Sequence, residues 1–474
     1  MTMINTEAWF DKHTNELIED ICMLVRIPSV SVKTKNPQMP YGPECKRVLE
    51  ACLELGERMG FMPFNHENYC GTLLWKGETE EEIGFFGHAD VVPAGEGWTY
   101  QPYEPAVENG LIIGRGVADN KGSVLTALYA LRYLKENGYK PRHSMRVFFG
   151  CSEETDMEDL EYYVAHYKQP VFSVVADYRF PGAYGEKGLI ELDAEFRAES
   201  RVLVSFSSGV MSNAVPAHAE AVLYVPENWK ETEQTLKALG AKTEEGKEVD
   251  TYCVSVEGIP AHAAFPEGSE SAEVKLSGIL LRVGILDEAG ERLMTACSEL
   301  FEDYYGKGLG IEYSDAESGN LTHVGGMASY EKGVFRQNIN IRYSVTANYE
   351  TLTKQLRERL GQYGFEVTRV HHSGPSYINP ELPVIQKMTE IANRVLKTEL
   401  KPVVIGGGTY ARKLNRAIAY GMGMPVRRMP FGKSRGGSHQ ADEYVEIEDL
   451  KKAFIIYVEA IQAMDQLVSD ETII

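Results

Sequence analysis

His88, Asp119, Glu153, Glu154, Asp177 and His439 are residue types that bind divalent metals and move protons, and they follow one another along the chain beside apolar runs. Two imidazoles with several carboxylates make a ligand set for two ions such as zinc, and one extra glutamate remains as a general base. Two ions held close together need a bridging carboxylate, a role assigned to Asp119. His88 and Asp177 then complete one position, and Glu154 and His439 the other. Glu153, adjacent to Glu154, cannot easily reach the same ion from the same face. It is better placed to take a proton from the metal-bridging water and pass it to a leaving amine. Asp90, two residues past His88, is expected to accept the other ring N–H and so fix the tautomer. The implied chemistry is hydrolysis of an amide bond.

Taken singly, these residues are ordinary. Adjacent glutamates are usually solvated, Asp119 at the start of a helical stretch reads as its N-cap, and a histidine among glycines reads as loop. Their placement gives them weight. Ile83–Phe86, Met145–Phe149 and Val171–Val175 are short apolar runs of the kind that form buried strands, and each runs into a candidate: His88, Glu153–Glu154 and Asp177. A helical pattern from about Asn120 to Asn137 separates the first two runs. Strand–helix–strand order predicts a parallel α/β sheet, whose sites form at the carboxyl ends of the strands.

Further out, helical spacing marks Glu7–Arg26, Lys46–Met59, 385–396 and 447–464. From Lys187 to Pro380 the texture changes to strand-like alternation, as in Leu189–Phe196, Tyr252–Val256 and Asn338–Tyr343, with helices near 231–239 and 352–363. The expected organisation is a catalytic domain over 1–186 and 381–474, with a mixed, largely parallel sheet flanked by helices. A lid domain over 187–380, α+β with two related lobes, is inserted into it.

The 474 residues carry a formal net charge of −21, with 43% hydrophobic residues and 25% charged. That supports a large core, and it excludes the basic footprint that nucleic acid or an anionic membrane surface needs. The N-terminal residues Met1–Glu7 lack a signal-peptide pattern, and no apolar stretch is long enough to span a membrane. Seven scattered cysteines without a Cys-x-x-Cys pair fit reduced thiols in a cytoplasm.

Several motifs resemble those of one family. Gly87-His88-Ala89-Asp90-Val91-Val92-Pro93-Ala94-Gly95-Glu96-Gly97-Trp98, Gly116-Val117-Ala118-Asp119-Asn120-Lys121-Gly122, Ser152-Glu153-Glu154-Thr155 and Ser438-His439-Gln440-Ala441-Asp442-Glu443 are similar to the motifs of the di-zinc metallopeptidases. That family includes aminoacylase, glutamate carboxypeptidase, desuccinylases and carnosinase-type dipeptidases. Gly185-Glu186-Lys187-Gly188, the long insertion and Gly406-Gly407-Gly408-Thr409-Tyr410-Ala411-Arg412 resemble the single-chain bacterial dipeptidases of the PepV type. The likeness departs at Ser152, Asp156-Met157, Tyr178-Arg179 and Gly268-Ser269-Glu270, none of which is a candidate ligand.

The resemblance implies two divalent ions per chain, zinc first, with manganese or cobalt as substitutes. It implies that His262, in the lid, stabilises the oxyanion and that Asn213 assists. Arg342 would bind the substrate's C-terminal carboxylate, and Gly407, Gly408, Thr409 and Arg412 would form a substrate loop. It also implies a cytoplasmic monomer acting on small peptides of the Xaa-His or β-Ala type, the doubled lid replacing a dimer partner. The alternative within the fold is an N-acyl-amino-acid amidohydrolase or desuccinylase.

Overall fold

The computed structural model describes residues 5–225, 229–432 and 434–469. The first four residues of the N-terminal stretch read above lie outside them. The chain is α/β and divides into two compact units. The first contains the described residues up to Gly185, Tyr377–Val403 and those from Gly408 onward. The second contains Glu186–Ser376 and returns briefly at Val404–Gly407. That return falls inside the stretch the sequence assigns wholly to the first domain. It is held by the Lys187 amide donating to Ile405 O and by Arg342 Nη1 donating to Gly406 O.

The first unit is built on a nine-stranded sheet. At its centre Glu82–His88 lies between Ser144–Gly150 and Phe172–Val175, parallel to both, and Ala417–Ala419 pairs in parallel beyond. Ile83, Phe85, Phe86, Val147, Phe148, Val174 and Val175 are buried, as a parallel strand covered on both faces requires. Register fixes the strand ends together: His88 pairs with Gly150, and Phe86 with Val175. At Gly87 an added Cβ would lie 2.6 Å from Asn120 Oδ1 and 2.8 Å from Val124 Cβ, so only glycine lets the helix approach the strand here. That helix spans Lys121–Glu136 and is buried along most of its length. It packs against Thr6–Val25 and Ile447–Leu467, where Trp9 stacks on Phe454 at 5.4 Å.

The second unit carries one eight-stranded antiparallel sheet made of two similar halves. In one, the hairpin Leu203–Ser208 and His218–Tyr224 is followed by the helix Trp229–Ala238 and the edge strand Lys242–Glu245, with Thr251–Glu257 filling the gap. In the other, the hairpin Thr322–Glu331 and Val334–Tyr343 is followed by the helix Tyr349–Gln362 and the edge strand Glu366–Ser373, with Gly188–Arg197 filling the gap. Leu203–Ser208 pairs with Thr322–Glu331 and joins the halves into one sheet. The two lobes expected from the sequence are therefore halves of one sheet.

Beneath this sheet Glu273 is fully buried, and neither carboxyl oxygen has a well-formed hydrogen bond among the described residues. Burial pushes its pKa from 4.5 up to about 8, against a smaller opposing effect of Gln337 and Cys297. The folded chain thus holds a proton that the unfolded chain releases above pH 4.5. The associated stability is complete below that pH and is lost as pH rises through about 8, by roughly 1.4 kcal/mol per pH unit. Glu273→Gln, neutral throughout, is expected to flatten this decline. Urea unfolding at pH 5.5 and pH 8 checks it, and equal pH dependence in both proteins would refute the buried acid.

Candidate metal centre

Because the three parallel strands end in register, the residues that follow them meet at one edge of the first unit's sheet. Around His88 Nε2 lie Asp119 Oδ1 at 3.0 Å, Asp177 Oδ2 at 3.6 Å and Glu153 Oε2 at 3.9 Å. His439 Nε2 lies 3.3 Å from the other oxygen of Asp119, Oδ2, and 3.0 Å from Glu154 Oε2. Asp119 thus offers one oxygen to each imidazole, the geometry of a bridging carboxylate. Two overlapping sets, His88–Glu153–Asp177 and His88–Asp119–Glu154, bring their ligand atoms within 4.8 Å of one another.

The electrostatics are those of a site short of positive charge. Burial favours a neutral His88, yet hydrogen bonding to Asp119, Asp177 and Asp90 holds its pKa well above the imidazole range. Hydrogen bonds to Asp119 and Glu154 push His439 up to about 10. Burial raises Glu153 well above the usual carboxylate range, with Asp177, Glu154 and Asp119 adding to the rise against the pull of His88. Burial, then the charge of Asp119, raises Asp177. Four carboxylates against two imidazoles must gather protons or cations, and nitrogen and oxygen donors at these spacings suit divalent ions. The residues present fit the two-ion set.

The shortest contact of His88 Nδ1 with Asp90 is to its backbone carbonyl at 3.0 Å, with the carboxylate at 3.4 Å. The same carboxylate accepts the backbone N–H groups of Glu153 and Glu154, at 3.3 and 3.1 Å. Asp119 is not a helix cap, because its carboxylate is committed to the two histidines. The helix begins at Lys121, and Asn120 occupies the cap position without capping it. Asn120 donates to Ala176 O and Asp177 Oδ1 and accepts from the His88 amide, tying the ends of two strands to the Asp119 turn.

Sequence reasoning gave no individual role to Glu443, which stood only inside the last motif. It is fully buried. Oε1 accepts the amides of Ala118 and Asp119 at 2.9 and 3.0 Å, and Oε2 accepts Arg115 Nη1 and the Gly116 amide at 2.7 and 3.1 Å. Next to it, Asp442 accepts the amides of Thr99 and Tyr100. Both residues lie close behind His439, so this segment clamps the turn that carries Asp119. Asp159 does the same for the turn before Glu153. It accepts the amides of Cys151 and Ser152 and the Tyr410 hydroxyl, and burial raises its pKa to about 7.

The other predicted residues fall in two places. Gly408, Thr409 and Arg412 belong to the first unit, where Thr409 caps a short 3₁₀ turn through the Ala411 amide. Gly407 belongs to the second. So do Asn213, His262 and Arg342, and the structure brings the first two of these together. Asn213 O accepts the Ala263 amide at 2.8 Å, and Ala214 pairs with His262 in an isolated bridge. His262 Nδ1 accepts the Ala264 amide at 3.1 Å. Burial, and then the positive Arg342, lowers the His262 pKa. The ring is therefore neutral at pH 7, with its proton on Nε2. Arg342 is buried and donates to Asn340 Oδ1 and Gly406 O.

Residues 84–463 match peptidase family M20/M25/M40. YtjP of Bacillus subtilis strain 168, provisionally named a dipeptidase, is 33% identical over 471 residues, covering 97% of this chain and 99% of the relative. SAB1611c of Staphylococcus aureus strain bovine RF122 / ET3-1, named in the same way, is 29% identical over 474 residues, covering 96% and 99%. Human carnosine dipeptidase 1 aligns with a TM-score of 0.57 at 16% identity over 98% of both chains. Aminoacylhistidine dipeptidase from Vibrio alginolyticus aligns at 0.57 and 12% identity, over 94% of this chain and 96% of that one. At these identities the two structures share the fold.

Glu443→Gln tests the clamp. The substitution keeps the shape but presents an NH₂ where an oxygen now accepts, so donors meet a donor. Zinc affinity in a chelator-competition titration is expected to fall roughly 10–100-fold, the scale for losing residues that orient metal ligands, with an unchanged circular dichroism spectrum. Wild-type affinity would mean that Asp119 keeps its place without Glu443.

Proposed function

The chain belongs to peptidase family M20/M25/M40 and is a peptide hydrolase, and from that premise we propose that it is a metal-dependent dipeptidase. Its substrates are dipeptides with a free C-terminal carboxylate, of the Xaa-His or β-Ala-Xaa kind. One observation carries the reading: Asp119 shares its two oxygens between His88 and His439, with Glu153 beside them. In this reading His88, Asp119, Glu154, Asp177 and His439 hold two divalent ions, zinc first. When bound, the ions polarise the scissile carbonyl and make the attacking water more acidic.

The protein's own groups do the rest. Glu153 is buried among negative neighbours that raise its proton affinity. It can take the proton of the attacking water and deliver it to the leaving amine, which a carboxylate at its ordinary pKa does poorly. Asp90 fixes Glu153 and Glu154 by their amides, so the base is held in position before substrate arrives. The neutral imidazole of His262 offers Nε2–H as a donor where the oxyanion develops, and Asn213 holds its loop through Ala263. The Arg342 guanidinium is the partner for the substrate carboxylate, and Gly407, Gly408, Thr409 and Arg412 are assigned to substrate binding. Among the described residues no helix is long and apolar enough to cross a membrane.

A panel of Xaa-His, β-Ala-His and N-acetyl or N-succinyl amino acids decides the substrate class, since a dipeptidase requires the free amine. Glu153→Gln is expected to lower turnover by roughly 10²–10⁴ with metal retained, and near wild-type turnover would end the base assignment. His262→Ala is expected to lower kcat more than it raises KM. Mixed with the Glu153→Gln chain it should stay inactive if one chain holds a complete site. Activity recovered on mixing would place the histidine in trans.

A further inference from the structure

The exposed large apolar residues of the second unit are unevenly distributed. Apart from Tyr224 and Val249, those described are Val210, Met211, Ile259, Phe265 and Met327. All five lie on three adjoining segments: the loop after Leu203–Ser208, the loop after Thr251–Glu257, and the bulge in Thr322–Glu331. The segments are packed on one another. An added Cβ at Gly209 would lie 2.0 Å from Gly326 O, and one at Gly326 would lie 2.2 Å from Ser212 O. Val215 and Ala263 pack with Val324 beneath them. These are the segments that carry Asn213 and His262.

Between the first two loops is a cavity of about 210 Å³, with Val210, Met211, Val215, Pro216 and Pro260 in its wall. Its lining has no carboxylate, lysine or arginine, and His218 is its one titratable residue. His218 is itself paired with Glu257 at 3.3 Å and lies 3.9 Å from Glu220, so the lining residues offer no unpaired charge of their own. On the other side of His262, Ala264 sits so close to Gly406 that a Cβ there would lie 2.6 Å away, and Gly406 O accepts from Arg342. Ala264 and Gly406 therefore connect the loop that carries His262 to the backbone that Arg342 holds.

We propose that this surface is the side-chain subsite for the carboxylate-bearing residue of the substrate, and that it selects an uncharged side chain there, aliphatic, aromatic or a neutral imidazole, over a charged one. The proposal rests on the dipeptidase reading, which puts the substrate carboxylate on Arg342 and the scissile carbonyl against His262. A residue held by its carboxylate at Arg342 meets Phe265, Met211 and the cavity with its side chain. Exposed apolar patches on otherwise polar surfaces mark such grooves. A charged side chain entering it would lose hydration without gaining a partner.

The test is kcat/KM of the metal-loaded protein on Ala-Xaa dipeptides, with Xaa as Gly, Leu, Phe, Asp and Lys. Leu and Phe are expected to exceed Asp and Lys by tenfold or more, the scale on which an apolar pocket discriminates. In Phe265→Asp and Met211→Asp the Ala-Leu to Ala-Gly ratio is expected to fall by a similar factor. Equal rates across the series, or variants that leave this ratio unchanged, would overturn the subsite. If no dipeptide is cleaved but N-acetyl amino acids are, the dipeptidase reading falls. The N-acetyl-leucine to N-acetyl-aspartate ratio then judges the pocket separately. A wild-type dimer that Phe265→Asp splits into monomers, with the ratio unchanged, would give the surface to a second copy of the chain and also overturn the proposal.

Discussion

Like charges must be held together at this site. Asp119, Glu153, Glu154 and Asp177 converge on two imidazoles, and unscreened carboxylates a few ångströms apart repel strongly in a buried setting. Loops left to themselves would splay. The fold meets this constraint with position and with N–H groups. Position comes from parallel strands in register, which deliver the ends of three segments to one edge. The N–H groups come from the backbone, and buried carboxylates behind the site gather them.

That second layer repeats one device. Asp90 accepts two amides of the Glu153–Glu154 turn, Asp159 two amides of the turn before it, Glu443 three amides of the Asp119 turn, and Asp442 two amides after Trp98. Farther from the site, Asp465 does the same for Arg142 and His143, at the start of the strand Ser144–Gly150. A carboxylate with two oxygens can bind two adjacent N–H groups at once and hold a turn in a single conformation. Such bonds to a charged acceptor are stronger than neutral ones, and breaking one leaves a buried charge exposed to its neighbours. Part of the chain's acidity is therefore structural, buried under the loops that carry the reactive groups. The C-terminal segment becomes part of the site in the same way, since Glu443 ties the turn of residues 115–119 to the segment that presents His439.

The sequence shows what has a local pattern. His88, the glutamate pair and Asp177 were readable because each ends an apolar run of strand length, and parallel strands bring such ends together. The division into an α/β body and a strand-rich insertion was readable from the change in periodicity. What was not readable is pairing over long separations. Nothing near Glu443 indicates that its partners are the amides of residues 116–119, and nothing near Asp159 points to Tyr410. Asp90 has His88 as a readable neighbour, but that its own carbonyl also faces the ring and its carboxylate also holds the Glu153 and Glu154 amides depends on torsions that the sequence does not display. Asp119 has the residue type of a helix cap, but its carboxylate is already engaged by two histidines. The glycine run 406–408 looks like one loop, yet it changes unit between Gly407 and Gly408.

Histidines in the two units show how one side chain is set to different tasks by its surroundings. His88 and His439 sit among carboxylates that outweigh burial and hold them on the cationic side of neutrality unless a metal takes the proton's place. Among the described residues His262 has no carboxylate partner. Burial and Arg342 keep it neutral, and the Ala264 amide occupies Nδ1, so the one proton left is on Nε2. A protonated imidazole would make a poor metal ligand, and an imidazole without a proton on Nε2 would make a poor donor to an oxyanion. Carboxylates surround His88 and His439, whereas a backbone amide and the charge of a guanidinium act on His262. The surroundings therefore set the imidazoles of the two units to opposite charge states, cationic among the carboxylates of the first and neutral in the second.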